Sequence, residues 1–205
     1  AVVTGGTESA ATVTALAGFT NMTALSSTFV TKPFDETRDG FIQGEGAAIF
    51  VLERLDLAVA RGATILGEIV GAASNADAYH ITAPSPGGVG ATRCMQLALE
   101  DAGLEPSDIK QINAHGTSTP LNDKAESQAI AAVFGNDGPP VVSIKGVTGH
   151  PLGAAGALEL AAVMLSFEKK LIPPTRGTTV VDPEMSIDVV LGEPRPWQPG
   201  PTISK

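Results

Sequence analysis

A chain of 205 residues, 43% of them hydrophobic and with a formal net charge of −9, is long enough for one sizeable domain or a domain with part of another. Its apolar content favours a packed core over disorder, and its acidic balance argues against a surface for nucleic acid or for an anionic membrane. A single cysteine excludes an internal disulfide framework and fits a reducing cytoplasm.

The opening "AVVTGGTESAATV" lacks the cationic start of a signal peptide, and its first six residues read as a short strand running into a glycine turn. "AATVTALAGFTNMTALS" follows as an apolar helical run. In "GAAIFVLERLDLAVARGA" the residues 47–52 read as a strand, with a short helix behind them ending at Gly62. "TILGEIVGAASNA" reads as a long strand of small residues. "GGVGATRCMQLALEDAGLEPSDI" holds an amphipathic helix stopped by Gly103. "KQINAHG" is a short strand entering a loop, "NDKAESQAIAAVFG" a helix closed by Gly135, and "VVSIKG" a strand. "PLGAAGALELAAVMLSFEKKLIPP" is a helix with proline at its first position, where no N–H is needed. "IDVVLGEP" reads as a strand, and "GPTISK" stops inside another. Strands separated by helices indicate an α/β fold with parallel pairing. Both ends look like cut strands, which expose unpaired backbone, so the chain reads as part of something larger. No apolar run reaches membrane-spanning length without glycine, proline or charge.

The helix from Pro151 is apolar nearly all round, as expected of a helix buried on every side between two sheets. Gly153, Ala154, Ala155, Gly156 and Ala157 would permit close packing there. Glu159 stands in the middle of this run. It is either hydrated on a face that meets solvent or buried against a cation; the small residues around it favour burial, with Lys145 as the partner.

Of the three histidines, at 80, 115 and 150, two lie in glycine- and threonine-flanked turns just after strands. The carboxyl ends of strands are where α/β folds build sites. One such histidine would pass for a satisfied loop residue; two in equivalent positions, with Lys145 at the end of the strand leading to His150, point to a site. Thr117, Ser118 and Thr119 place hydroxyls beside His115, though ordinary loop capping would account for them equally. Asp123 and Glu126 suit the positive end of the following helix. A zinc site from His115, Asp123 and His150 is disfavoured, because short histidine spacing and a cysteine pair are both missing. Cys94 lies mid-helix, where a cysteine acts as a small hydrophobe and nothing lowers its pKa.

The segments "NAHGTSTPLND", "SIKGVTGHPLGAAGALE", "PFDETRDGFIQGEGAA" and "SNADAYHITAPSP" together resemble the β-ketoacyl-[acyl-carrier-protein] synthases, specifically the elongating condensing enzymes of type II fatty-acid synthesis. Polyketide ketosynthases share much of this. The resemblance runs in order over nearly the whole chain. It implies a thiolase-like α/β fold, a layered αβαβα sandwich with mixed sheets, of which residues 1–75 would end the N-terminal half and 76–205 form most of the C-terminal half. It implies an acyltransferase, a cytoplasmic homodimer served by acyl carrier protein. No cofactor is required of the enzyme itself, because the substrates bring phosphopantetheine.

The resemblance further implies that His115 and His150 stabilise the oxyanion of a decarboxylating malonyl thioester and that Lys145, paired with Glu159, keeps them neutral. Thr117, Thr119 and Thr82 would bind the pantetheine arm, Phe41 would line the acyl pocket, and Asp123 would be a structural acid. Three departures accompany it. The family's nucleophilic cysteine, expected upstream, and its Gly-Phe-Gly-Gly loop, expected after Lys205, are absent from the sequence. "ALSSTFVTKPFD" is also shorter than the usual segment, which offers an arginine to the carrier. Without the cysteine, this chain alone is expected to be inactive. The alternatives are a polyketide ketosynthase and a non-catalytic chain-length-factor subunit.

Overall fold

The computed structural model describes all 205 residues. Strand β1 (Val2–Glu8) pairs antiparallel with β2 (Gly46–Leu52) over their full lengths, Val2 opposite Leu52 and Glu8 opposite Gly46. Helix α1 (Val13–Asn21) lies in the long connection between these two strands and the short α2 (Leu55–Ala60) follows β2; the Thr12 hydroxyl caps α1 by accepting from Ala15 N–H. The second sheet is built on β3 (Gln111–Asn113), with β4 (Val141–Val142) and β7 (Thr202–Ser204) parallel on either side. A third, two-residue pair joins β5 (Leu171–Ile172) to β6 (Arg195–Pro196), antiparallel. The molecule is therefore α/β with mixed sheets, parallel only around β3.

The main core lies on one side of β3. Ile112 and Val141 from the sheet meet Met95 and Leu99 of α3 (Val89–Ala102), Ala129 and Ile130 of α4 (Pro120–Phe134), and the loop residues Phe34, Met185 and Val189. Gly103 ends α3 in the left-handed conformation and Gly135 closes α4, where the sequence places both stops. Helix α6 (Ala155–Lys169) lies between the two larger sheets, touching β1 and β2 on one side and β5 and β7 on the other. Small residues set that spacing: a Cβ on Gly6 would come within 2.8 Å of Gly153 O and 3.2 Å of Ala157 Cβ.

Several expectations are corrected. Residues 64–76 form no strand, because no strand edge runs beside them. The segment instead lies over helices, Gly67 against Met164 and Phe167 and Gly71 against Ala102, leaving Leu66 and Ile69 exposed. The strand at "VVSIKG" ends after Val142. There the Ser143 hydroxyl donates to Gly116 O and accepts from Lys145 N–H, and the chain enters the helical turn α5 (Lys145–Thr148). Lys145 thus opens a turn rather than closing a strand. "IDVVLGEP" gives only an isolated bridge, Val189 to Val141, on the edge of β4 that faces away from β3: Val141 N–H donates to Asp188 O at 2.8 Å and Val190 N–H to Val141 O at 2.9 Å. Pro151 stands ahead of a short 3-10 turn (Leu152–Ala154), not at the first position of α6. Nor is α6 buried all round: one stripe is, made of Ala155, Glu159, Val163 and Ser166, while Leu165 on another face is exposed.

The outer side of the β1–β2 pair and the 64–76 segment leave a broad apolar surface open, with Val3 72%, Ile49 63% and Val51 65% exposed. Surfaces of that kind drive association. The chain should elute from size exclusion with a light-scattering mass well above its 20.8 kDa; a monodisperse monomer would contradict this.

Candidate functional site

The site forms where the loop after β3, the turn α5 and the middle of α6 converge. His115 stands two residues beyond β3 in "AHGTSTP", a loop whose glycine is required: Gly116 has φ +41°, and a Cβ there would sit 2.6 Å from Ser143 Cβ. His150 follows α5. Its main chain is fixed by the segment 41–44, with His150 N–H donating to Ile42 O at 2.8 Å and Gly44 N–H to His150 O at 3.1 Å. Gly149, at φ +66°, lets that segment approach, since a Cβ would lie 2.7 Å from Ile42 O.

The two imidazoles meet edge to face with ring centroids 5.1 Å apart. Phe41, almost fully buried, covers His150 at 4.9 Å, and Phe19 covers Phe41 at 5.4 Å. Behind the rings, Lys145 is 1% exposed. Its ammonium donates to His115 O at 2.5 Å, to His115 Nδ1 at 3.3 Å and to Glu159 Oε1. An ammonium has three donors and no acceptor, so these three bonds satisfy it completely. The bond to His115 also fixes a tautomer: Nδ1 must accept, which places the ring proton on Nε2. On His150 the Nδ1 is buried without a partner, leaving Nε2 as the nitrogen able to meet a ligand.

Electrostatics hold both rings neutral. Burial, then the Lys145 charge, lowers the His115 pKa to about 4. Burial, then His115 and Lys145, lowers that of His150 to about 3. Burial pushes the Glu159 carboxyl up against the pull of Lys145. The buried pairing read from the sequence is thus present, and the hydrated alternative is not.

Asp123, fully buried, does not join the imidazoles. It accepts from Phe34 N–H at 2.7 Å and from Ser118 N–H at 3.1 Å, tying the 34–35 loop to the turn after His115. Burial lifts it to about 7, with the Glu126 charge adding and the Phe34 amide, Asn122 and Arg38 opposing. Thr117 and Thr119 face each other, hydroxyl to hydroxyl, at 2.9 Å. Thr82 is not drawn into this group; it lies on an exposed loop whose turn is closed by its N–H on His80 Nδ1.

One residue of the site escaped the sequence reading. Glu126 is not merely an acid near a helix start: its Oε1 accepts His115 N–H at 2.8 Å and its Oε2 accepts Gly116 N–H at 2.7 Å. The available signal was its spacing of three from Asp123, which puts both carboxylates on one face of α4. Burial would raise Glu126, but Lys205, His115 and those two amides hold it down at about 2.

Two neutral imidazoles, side by side and backed by a saturated buried cation, with the His115 proton on Nε2 and the His150 Nε2 free, can donate to a developing oxyanion. They need no proton rearrangement at the moment of reaction.

Comparison with known proteins follows the same lines. Residues 66–179 match the family model described as the C-terminal domain of β-ketoacyl synthase, and residues 1–58 the one described as its N-terminal domain. A 3-oxoacyl-[acyl-carrier-protein] synthase 2 of Synechocystis sp. is 46% identical over 202 residues, covering 95% of this chain and 49% of that protein. The chain spans about half the length of the curated relatives it matches. Among solved structures, the ishigamide ketosynthase/chain length factor aligns with a TM-score of 0.89 at 42% identity, covering 95% of this chain and 47% of that one. A type II polyketide acyl-carrier protein in complex with its ketosynthase, bound to the hexaketide, aligns at 0.91 and 37% identity, covering 95% and 50%.

Two outcomes are expected. Replacing Lys145 by Met strands the Glu159 carboxylate and should cost about 3–5 kcal/mol in urea unfolding, most of it recovered in a Lys145→Met, Glu159→Leu double variant. Stability should also fall with acid in two stages. The two folded histidines refuse protons that the unfolded chain accepts near 6.5, so stability present above that pH is lost towards about 4. Against this stands the opposing gain from Asp123, which the folded chain protonates below about 7. The contribution of Glu126, complete above its ordinary 4.5, is lost towards about 2. Thermal melts between pH 8 and 3 check the sign; a melting temperature that rises on acidification to pH 5 would refute it.

Proposed function

Because the chain belongs to the β-ketoacyl synthase family and has its thiolase-like α/β fold, we propose that it supplies the histidine half of a decarboxylative condensing site in fatty-acid elongation. The observation that carries the proposal is the pair of neutral imidazoles, 5.1 Å apart, with Lys145 bonded to His115.

The substrate is malonyl-acyl-carrier protein. Its carboxylate leaves as CO2, and the electron pair of the breaking bond forms an enolate. The enolate oxygen accepts hydrogen bonds from His115 Nε2 and His150 Nε2, which stabilise it as charge develops. Its carbon then attacks the carbonyl of an acyl thioester on a cysteine outside this sequence, and the cysteine sulfur departs as thiolate. Lys145 acts through the rings, disfavouring imidazolium, and Glu159 balances it. Thr117 and Thr119 would hydrogen-bond the pantetheine arm, with Thr82 reaching it only if its loop moves inward. Phe41, packed on His150, would form a wall of the acyl pocket, and Asp123 would keep the loop shape.

The same reading gives a homodimer in the cytoplasm, with acyl carrier protein as partner and no cofactor of the enzyme's own. It divides the chain between halves near residue 75. A polyketide ketosynthase runs the same chemistry on another acyl chain, and the similarity to a type II polyketide ketosynthase keeps that version open to test. A chain-length-factor role would not call for both histidines and Lys145.

The deciding assay follows CO2 release from malonyl-carrier protein by the enzyme that contains this chain. His115→Ala or His150→Ala should each reduce it about 10²–10³-fold, the usual effect of removing one oxyanion donor. Cysteine alkylation should continue in both variants. Full decarboxylation by either variant would reject the assignment, and comparing fatty-acyl with polyketide primers separates the two pathways.

A further inference from the structure

The Glu126 carboxylate is enclosed, 2% exposed, and occupied by neutral donors: the amides of His115 and Gly116, and Asn122 Nδ2 at 3.4 Å from Oε2. The neighbouring acid, Asp123, offers no compensation. Burying a carboxylate among neutral groups is costly unless a cation stands close. The cation in contact is Lys205, whose Nζ lies 3.2 Å from Glu126 Oε1 with its side chain 21% exposed.

Its placement follows from the sheet. β7 runs parallel to β3 with Ser204 opposite Asn113, and Lys205 N–H donates to Asn113 O at 3.1 Å. The lysine therefore leaves the strand two residues from His115. Charge alternates across the site from one end to the other: Lys205, Glu126, then the main chain of His115 with its N–H held by Glu126 and its carbonyl by Lys145, then Lys145 and Glu159.

We propose that Lys205 is a positioning residue: its ammonium is the built-in counter-ion that keeps Glu126 a two-oxygen acceptor and thereby fixes the main chain of His115. The catalytic meaning of that role rests on the functional reading above. The contact itself does not, so the test uses no turnover.

In the enzyme that contains this chain, amide NMR and hydrogen exchange of His115 and Gly116 report the grip of Glu126. In Lys205→Met both amide resonances should move together and exchange about tenfold faster, as weakening of charge-assisted bonds implies. The amides of Phe34 and Ser118, which are bonded to Asp123, should hold their positions. Lys205→Arg should restore the native pattern. In a Glu126→Gln background, Lys205→Met should change nothing further; if that background does not fold, the Met and Arg variants decide alone. Unchanged His115 and Gly116 amides in Lys205→Met would overturn the proposal. So would equal loosening at Phe34 and Ser118, or failure of arginine to rescue. Loss of decarboxylation chemistry in the assay above would leave this result standing, which separates the two failures.

Discussion

A single buried ammonium organises the centre of this molecule. Lys145 is removed from water almost completely, and such a charge is tolerated only when every donor is answered. Three acceptors answer it: a main-chain carbonyl, a ring nitrogen and a carboxylate. Each belongs to a different structural requirement. The carbonyl demands that the loop after β3 turn back at His115. The ring nitrogen demands one tautomer of that histidine. The carboxylate demands that α6 present Glu159 inward, on the one stripe of that helix that is buried. The elements around the lysine are arranged to satisfy it.

The carboxylates show why residue type alone says little. Glu159, Glu126 and Asp123 are all buried, and each does something different. Glu159 faces a cation, Glu126 grips two amides of the histidine turn, and Asp123 joins two loops. Their proton affinities diverge accordingly, with Glu126 pulled down to about 2 and Asp123 pushed up to about 7. Environment, not identity, assigns the work.

Much of this was legible in the sequence. Helices α3 and α4 announced their ends through Gly103 and Gly135, because only a left-handed or open residue completes such a terminus cheaply. Glu159 stood out because a lone acid in an apolar helix demands a partner. What the sequence concealed was relational. Residues 64–76 have strand composition, but a strand exists only where a neighbour supplies the ladder. Glu126 had an adequate local explanation at a helix start, so its reach to the His115 amides left no trace. Ser143 ended a strand by bonding backwards to Gly116, a contact that no local pattern encodes.

The anchoring of His150 on residues 42–44 has a kinetic consequence. Those residues lie early in the chain and the histidine lies late, so their pairing closes a very long loop whose entropy must be lost before any contact compensates it. Helices α3 and α4 can associate locally well before that. A newly made chain could therefore hold the α3–α4 pair while His150 is still unanchored, whereas the complete core, which takes in Phe34, waits for long-range closure of the same kind. During that interval Lys145 would remain hydrated. The centre would be the last region to dry, and so the region most exposed to misassembly if synthesis or refolding is hurried.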